Sequence, residues 1–364
     1  MQMATELDAL MHPQRRALLQ AVLGLAAGCA LPGVAAAAAT PSLAAAWALA
    51  QGQQVGLLAA QGGLLAVRAA LDVPTRAHGL LVEANGAVLA VARRPGDWLL
   101  RWHPATHEAQ WAWIEPDRAY NGHVVASADG RRLYTTETHL ATGAGLIGVR
   151  DAVSLEKQAE WPTHGMDPHE LLLDKDGSLI VANGGIPTLP ETGRIKVGLE
   201  RMDPSLVRLH TGSGALLGQW RLPDPRLSLR HMAGGPGRTL GIALQAEHEQ
   251  AAQRTAAPVF ALFDGQALRT ATAPQPLAGY GGAIAHVNGL FAVSCPRAQG
   301  VALYDSAGRW QGLVPLAQAC ALASTPAGAL WAGGSVVARS LADAAQLAVA
   351  PTLRLDNHWL HYPA

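Results

Sequence analysis

One motif recurs along the chain, and it constrains the fold more than any other feature. In residues 163–194, His164 and His169 precede an apolar run at 171–173, the turn Asp174-Lys175-Asp176-Gly177, a second run at 179–181, and the polar Asn183-Gly184-Gly185. Two apolar runs flanking an Asp-Gly type turn predict a β-hairpin. A hairpin alone is at best marginally stable, so it needs neighbours, and weaker copies are present. Gly122-His123 leads the run 124–126, the turn Asp129-Gly130 and the run 133–135; His78-Gly79 leads 80–82, the turn Asn85-Gly86 and 88–91. The spacing is 45 positions from His78 to His123 and 46 from His123 to His169. A period in the forties, built of short strands with little helical spacing, is that of a β-propeller blade.

With 364 residues, 49% hydrophobic and 15% charged, the chain can bury a large core. Lys and Arg total 27, and Asp and Glu total 27, so there is no strong electrostatic footprint for nucleic acid or an acidic membrane. Residues 1–39 read as an export signal. Arg15-Arg16-Ala17-Leu18-Leu19 resembles a twin-arginine motif, and the apolar stretch 17–30 is too short to span a membrane and runs into small residues suited to cleavage. The expected address is the periplasm, with a membrane anchor only if Cys29 is lipidated. Residues 40–364 then form one propeller domain.

Strand-like runs group into seven blades, with six or eight as the alternatives. The first covers 47–76, the second starts at His78, the third spans 116–161 and the fourth 163–222. The fifth starts at Ser228, the sixth spans 281–312, and the seventh runs from Pro315 to the closing residues near His358 and Trp359. Trp98, Trp102, Trp111 and Trp113 read as blade-packing residues. Circular closure predicts that the N- and C-terminal strands share a blade. Residues 187–204 form a long loop. Cys295 and Cys320 fall in neighbouring blades, where they are either bridged, as an oxidising compartment allows, or left as two buried thiols.

Several motifs together carry a family resemblance. Arg76-Ala77-His78-Gly79, Arg93-Arg94-Pro95-Gly96, Asp167-Pro168-His169-Glu170-Leu171, Ala182-Asn183-Gly184-Gly185-Ile186, Ser228-Leu229-Arg230-His231 and Asp356-Asn357-His358 resemble the exported bacterial family known as domain of unknown function 1513. The chain departs from that pattern at Pro187-Thr188-Leu189-Pro190, where a histidine before the proline is common in the family. The resemblance implies a propeller-like protein encoded beside imelysin-like iron-regulated proteins and di-haem oxidoreductase-like proteins. It thereby implies a role near periplasmic iron acquisition, with iron-uptake proteins as partners.

His78, His123, His169 and His231 each stand at the start of a blade's first strand, which in a propeller lines the channel. Equivalent positions converge on the axis, so these four imidazoles are the candidate metal ligands, and iron or copper suits them. Glu137, Glu170, Asn183, Arg194, Arg230 and Gln245 are candidate ligand-binding or supporting groups. The same spacing is equally what a packing role inside each blade predicts. No HExxH, CxxC or CxxCH pattern and no phosphate-loop lysine is present. Two classes of function follow. The chain is a binding protein for a metal, an iron compound or a partner protein. Alternatively, it is a metal-dependent enzyme, an oxidoreductase or lactonase-like hydrolase, working through the channel histidines.

Overall fold

The hairpin read from residues 163–194 forms at the expected register. In the computed structural model, which describes residues 41–187, 196 and 198–363, Leu171 pairs with Val181 and Leu173 with Leu179. Gly177 closes the turn at φ 80°, a conformation that glycine adopts without penalty. Val181 pairs onward with Val207, and Val207 with Gln219, completing four antiparallel strands. The export signal and Arg194 lie outside the described residues. Among the described residues, no helix is long and apolar enough to cross a membrane.

Four-strand units of this kind recur around a ring. Five are separate sheets, at 77–113, 118–166, 168–220, 227–271 and 284–315. The sixth sheet has eight strands and divides into two blades. Blade seven, 321–349, joins blade one only at the outer edges, where Ala348 and Val349 pair in parallel with Leu64 and Leu65. Seven blades result, and the chain is a seven-bladed β-propeller.

Blade one closes the ring. Its inner strand, Arg354–His361, comes from the C-terminus and pairs with Ser42–Ala48 from the N-terminal part of the domain. The two ends of the domain therefore share a blade, as closure requires. His358 and Trp359 consequently belong to blade one. The assignment of these residues to blade seven fails because that blade already has four strands of its own.

The apolar residues pack between blades, since each sheet buries both faces against its neighbours. Seven apolar clusters fill the seven interfaces. One sets Tyr134, Ile147 and Val149 of blade three against Leu171, Val181 and Val207 of blade four; another sets Trp47 and Trp359 of blade one against Trp331 of blade seven. Each blade thus depends on two neighbours, and only a closed ring supplies both. Trp98 and Trp102 are fully buried and Trp111 packs edge-on against Trp98 with ring centroids 5.5 Å apart. Trp113 is the exception to the packing expectation: it lies near the end of an outermost strand and is 59% exposed.

Cys295 and Cys320 sit in adjacent blades six and seven, and both are free thiols. Cys295 Sγ donates to the Val293 carbonyl within its own strand, at 3.4 Å. Burial pushes its pKa up to about 12 and that of Cys320 up to about 11, so neither is a ready thiolate. The expected outcome of thiol labelling is that a chain starting at residue 40 reacts at both cysteines once denatured without reductant. A pair released only by reductant would contradict this.

Candidate metal centre

The inner strands of five consecutive blades each bring one histidine to the centre, and each is irregular at that histidine. Pairing slips between Ala77 and Leu80, around His78; between Tyr120 and Val124, around His123; between Pro168 and Leu171, around His169; and between Leu229 and Met232, around His231. On the closing strand Trp359 pairs with Ala45 and Leu355 with Trp47, so residues 356–358 bulge opposite Ala46 alone. A β-bulge breaks the alternation of faces and re-aims side chains. The inner strand of blade six, Ile284–Val287, makes the comparison within the same molecule. Its pairing has no slip, and its His286 ring lies on Phe291 of the same blade, with centroids 4.6 Å apart.

Re-aimed in this way, the five rings meet. His78 lies against His123, His169, His231 and His358 at centroid separations of 4.9, 5.3, 5.8 and 4.3 Å. Glycines permit this approach. Gly122 has φ 101°, and a Cβ on it would stand 2.8 Å from the His78 ring, so a larger residue at that position would both strain the backbone and displace His78.

His78, His123, His231 and His358 each offer one donor nitrogen, and these four lie within 4.8 Å of one another. Two nitrogens on one ion stand at most about 4.2 Å apart, twice a bond of ~2.1 Å. For four donors in a tetrahedron the separations close further, to about 3.4 Å, so the cluster contracts by at most about 0.8 Å per ring. His78 Nδ1, His123 Nε2 and His358 Nε2 are buried with no hydrogen-bond partner among the described residues. A buried polar atom without a partner costs free energy, and a metal ion supplies one. His169 enters differently: its Nε2 is 2.9 Å from His231 Nε2, a hydrogen bond that orients the His231 ring.

The rings are held neutral. Desolvation is the main cause of pKa values well below 6.5 for His78, His123, His169 and His231, and neighbouring imidazoles add to it. The same desolvation brings His358 down to about 4, against the pull of Asp356. Neutral imidazole is the form that binds a metal. Glu170 stands beside them, with Oε1 3.8 Å from His123 Nδ1 and Oε2 accepting the Met232 N–H. Desolvation pushes its carboxyl up to about 8.

The remaining candidates divide. Arg230 ion-pairs with Asp167 at 3.0 Å and, with Gln245, lines a cavity of about 250 Å³ that reaches His78, His169 and His231. Glu137 is fully buried on the second strand of blade three, held by Arg150 at 2.7 Å and Lys157 at 2.8 Å. Asn183 donates to the Thr163 carbonyl on the outermost strand of blade three at 3.0 Å and to Ser205 Oγ in its own blade four at 3.2 Å. Glu137 therefore ties strands together within blade three, and Asn183 ties blade four to blade three; neither faces the histidines, because second strands lie behind the channel wall. His358 is the ligand candidate that the repeat period misses. Its strand is contributed by the C-terminus, so the 45-residue count never reaches it; wrapping the closing strand ahead of the His78 strand would have placed it one blade before His78.

A pH dependence follows for the metal-free protein. The unfolded chain takes up protons on these five histidines below about pH 6.5, whereas the folded chain does not, so each tilts stability by ~1.4 kcal/mol per pH unit as the pH falls. Glu170 acts oppositely, being protonated in the fold up to about 8, but it is one group against five. The melting temperature should fall steeply from pH 6.5 to pH 5. A flat profile over that range would contradict buried neutral imidazoles.

Among solved structures the fold is similar to a chain of Kuenenia stuttgartiensis hydrazine synthase, at 12% identity over 84% of this chain and 96% of that one, with a TM-score of 0.59. A protein of unknown function from Bacteroides caccae is a weaker match, at 9% identity over 76% of this chain and 94% of that one, with a TM-score of 0.49. Likeness at this identity speaks to fold alone. No curated protein sequence matches the chain. The family model described as "Protein of unknown function (DUF1513)" matches residues 71–362, which include all five channel histidines, and the chain belongs to that family.

Proposed function

We propose that the protein is a periplasmic metal-binding propeller in which His78, His123, His231 and His358 hold one transition-metal ion on the channel axis. One observation carries the reading: four neutral imidazoles from four different blades bring donor nitrogens within 4.8 Å of one another. Packing alone does not ask for this, since His286 packs inside its blade on a regular strand. All-nitrogen donor sets suit copper, zinc, iron or nickel, and not calcium or magnesium. His169 orients His231, and Glu170 lies where it can orient His123. The arginine pair near the N-terminus supports export, the family resemblance supports iron and partners from iron uptake, and imidazole donors suit copper as well.

The test is a metal titration of the purified protein with Cu(II) and, anaerobically, with Fe(II). One ion per chain is expected. His358→Ala and His123→Ala should each weaken binding by at least about tenfold while the chain stays folded by circular dichroism. Less than one ion per chain in the unaltered protein, or unchanged affinity in both variants, would exclude the site.

A further inference from the structure

The cavity beside the histidines has a second chemical character. Arg93, Arg94, Lys196, Arg230 and Arg297 line it, whereas no Asp or Glu among the described residues does. These cations come from blades two, four, five and six, so the charge is focused on one small volume. Among the described residues the nearby carboxylates do not balance it, and Asp356 is paired with Arg76. Asp167 is shared between Arg94 and Arg230, and Lys196 pairs with Glu247. Arg297 makes no ion pair among the described residues and lies over the Tyr280 ring, 4.5 Å from its centroid. Arg230 is 3% exposed, and its Nε has no acceptor among the described residues. A buried guanidinium N–H without an acceptor is costly, and an oxyanion is what it lacks. The crowding shows at Lys196, whose pKa is lowered by desolvation and further by Arg230 and Arg94, against the pull of Glu247.

We propose that this cavity binds a small multivalent oxyanion, a polycarboxylate or a phosphate, in contact with the histidine cluster. At about 250 Å³ it is smaller than the pockets that hold drug-sized ligands, which fits a compact anion. Guanidinium forks match carboxylate and phosphate oxygens in pairs, and the open Arg230 N–H adds a fixed donor. The site stands without the metal. Where the histidines do hold an ion, the anion offsets the positive rim that a bare cation has to pass.

The experiment is calorimetric titration of the purified protein at pH 7 and low salt with citrate and, separately, with inorganic phosphate, each with and without bound Cu(II). One anion per chain is expected, weakened by added salt. Tighter binding of citrate assigns a polycarboxylate; tighter binding of phosphate assigns a phosphate. Arg297→Gln, which alters an exposed side chain, should lower anion affinity about tenfold, equal to ~1.4 kcal/mol. It should leave the melting temperature unchanged, and Arg297→Lys should retain most of the binding. Arg94→Gln is the second variant, since Asp167 keeps Arg230 as its partner. No saturable binding of either anion, or binding unaffected by both Arg297→Gln and Arg94→Gln, overturns the proposal. Anion binding in a protein that takes up no metal keeps this site and removes the metal reading; metal binding without anion binding does the reverse.

Discussion

The bulges in the inner strands are what the site depends on. A regular inner strand would alternate its side chains between the two sheet faces, as Ile284–Val287 does, and His286 accordingly packs within its blade. Slips at His78, His123, His169, His231 and the 356–358 segment break that alternation at one level of the ring. A bulge gives up regular ladder pairing locally, so five at one level require compensation. The seven apolar layers between blades provide it, because each blade is clamped on both sides wherever its inner strand is irregular.

Closure and chemistry are joined in one strand. Arg354–His361 completes blade one and places Trp359 in the layer between blades one and seven, while three residues of the same strand bulge to deliver His358. The electrostatics point the same way. Arg93 acts on His78 and His358, and Arg230 on His169 and His231, each adding to the desolvation that keeps the rings neutral. The cationic rim therefore prepares the imidazoles as donors and at the same time opposes the entry of a lone cation. A cluster of neutral donors beneath a positive vestibule is suited to a metal that arrives with, or is capped by, an anion.

Much of this was legible in the chain itself. Turn chemistry at Asp174-Lys175-Asp176-Gly177 and the 45-residue spacing were enough for the blades, because hairpins are local and the repeat copies them. Four of the five channel histidines were visible for the same reason. His358 was hidden by circular closure, which places the last strand first in space. Glu137 and Asn183 looked like site residues because they are polar within apolar runs, yet their charge and hydrogen bonds are spent on Arg150, Lys157, Thr163 and Ser205. Only strand order within a blade separates them from Glu170, which neighbours His169 on the inner strand. The cationic cavity was equally invisible as a unit, since its arginines are scattered from Arg93 to Arg297 and meet only through the ring.

The most direct measurement of the central claim is anomalous diffraction, at the copper absorption edge, from crystals of the copper-loaded protein. The account predicts one strong peak on the channel axis, about 2 Å from a ring nitrogen of each of His78, His123, His231 and His358. A copper-loaded crystal with its peaks elsewhere, or with the four rings turned away from any peak, would contradict it.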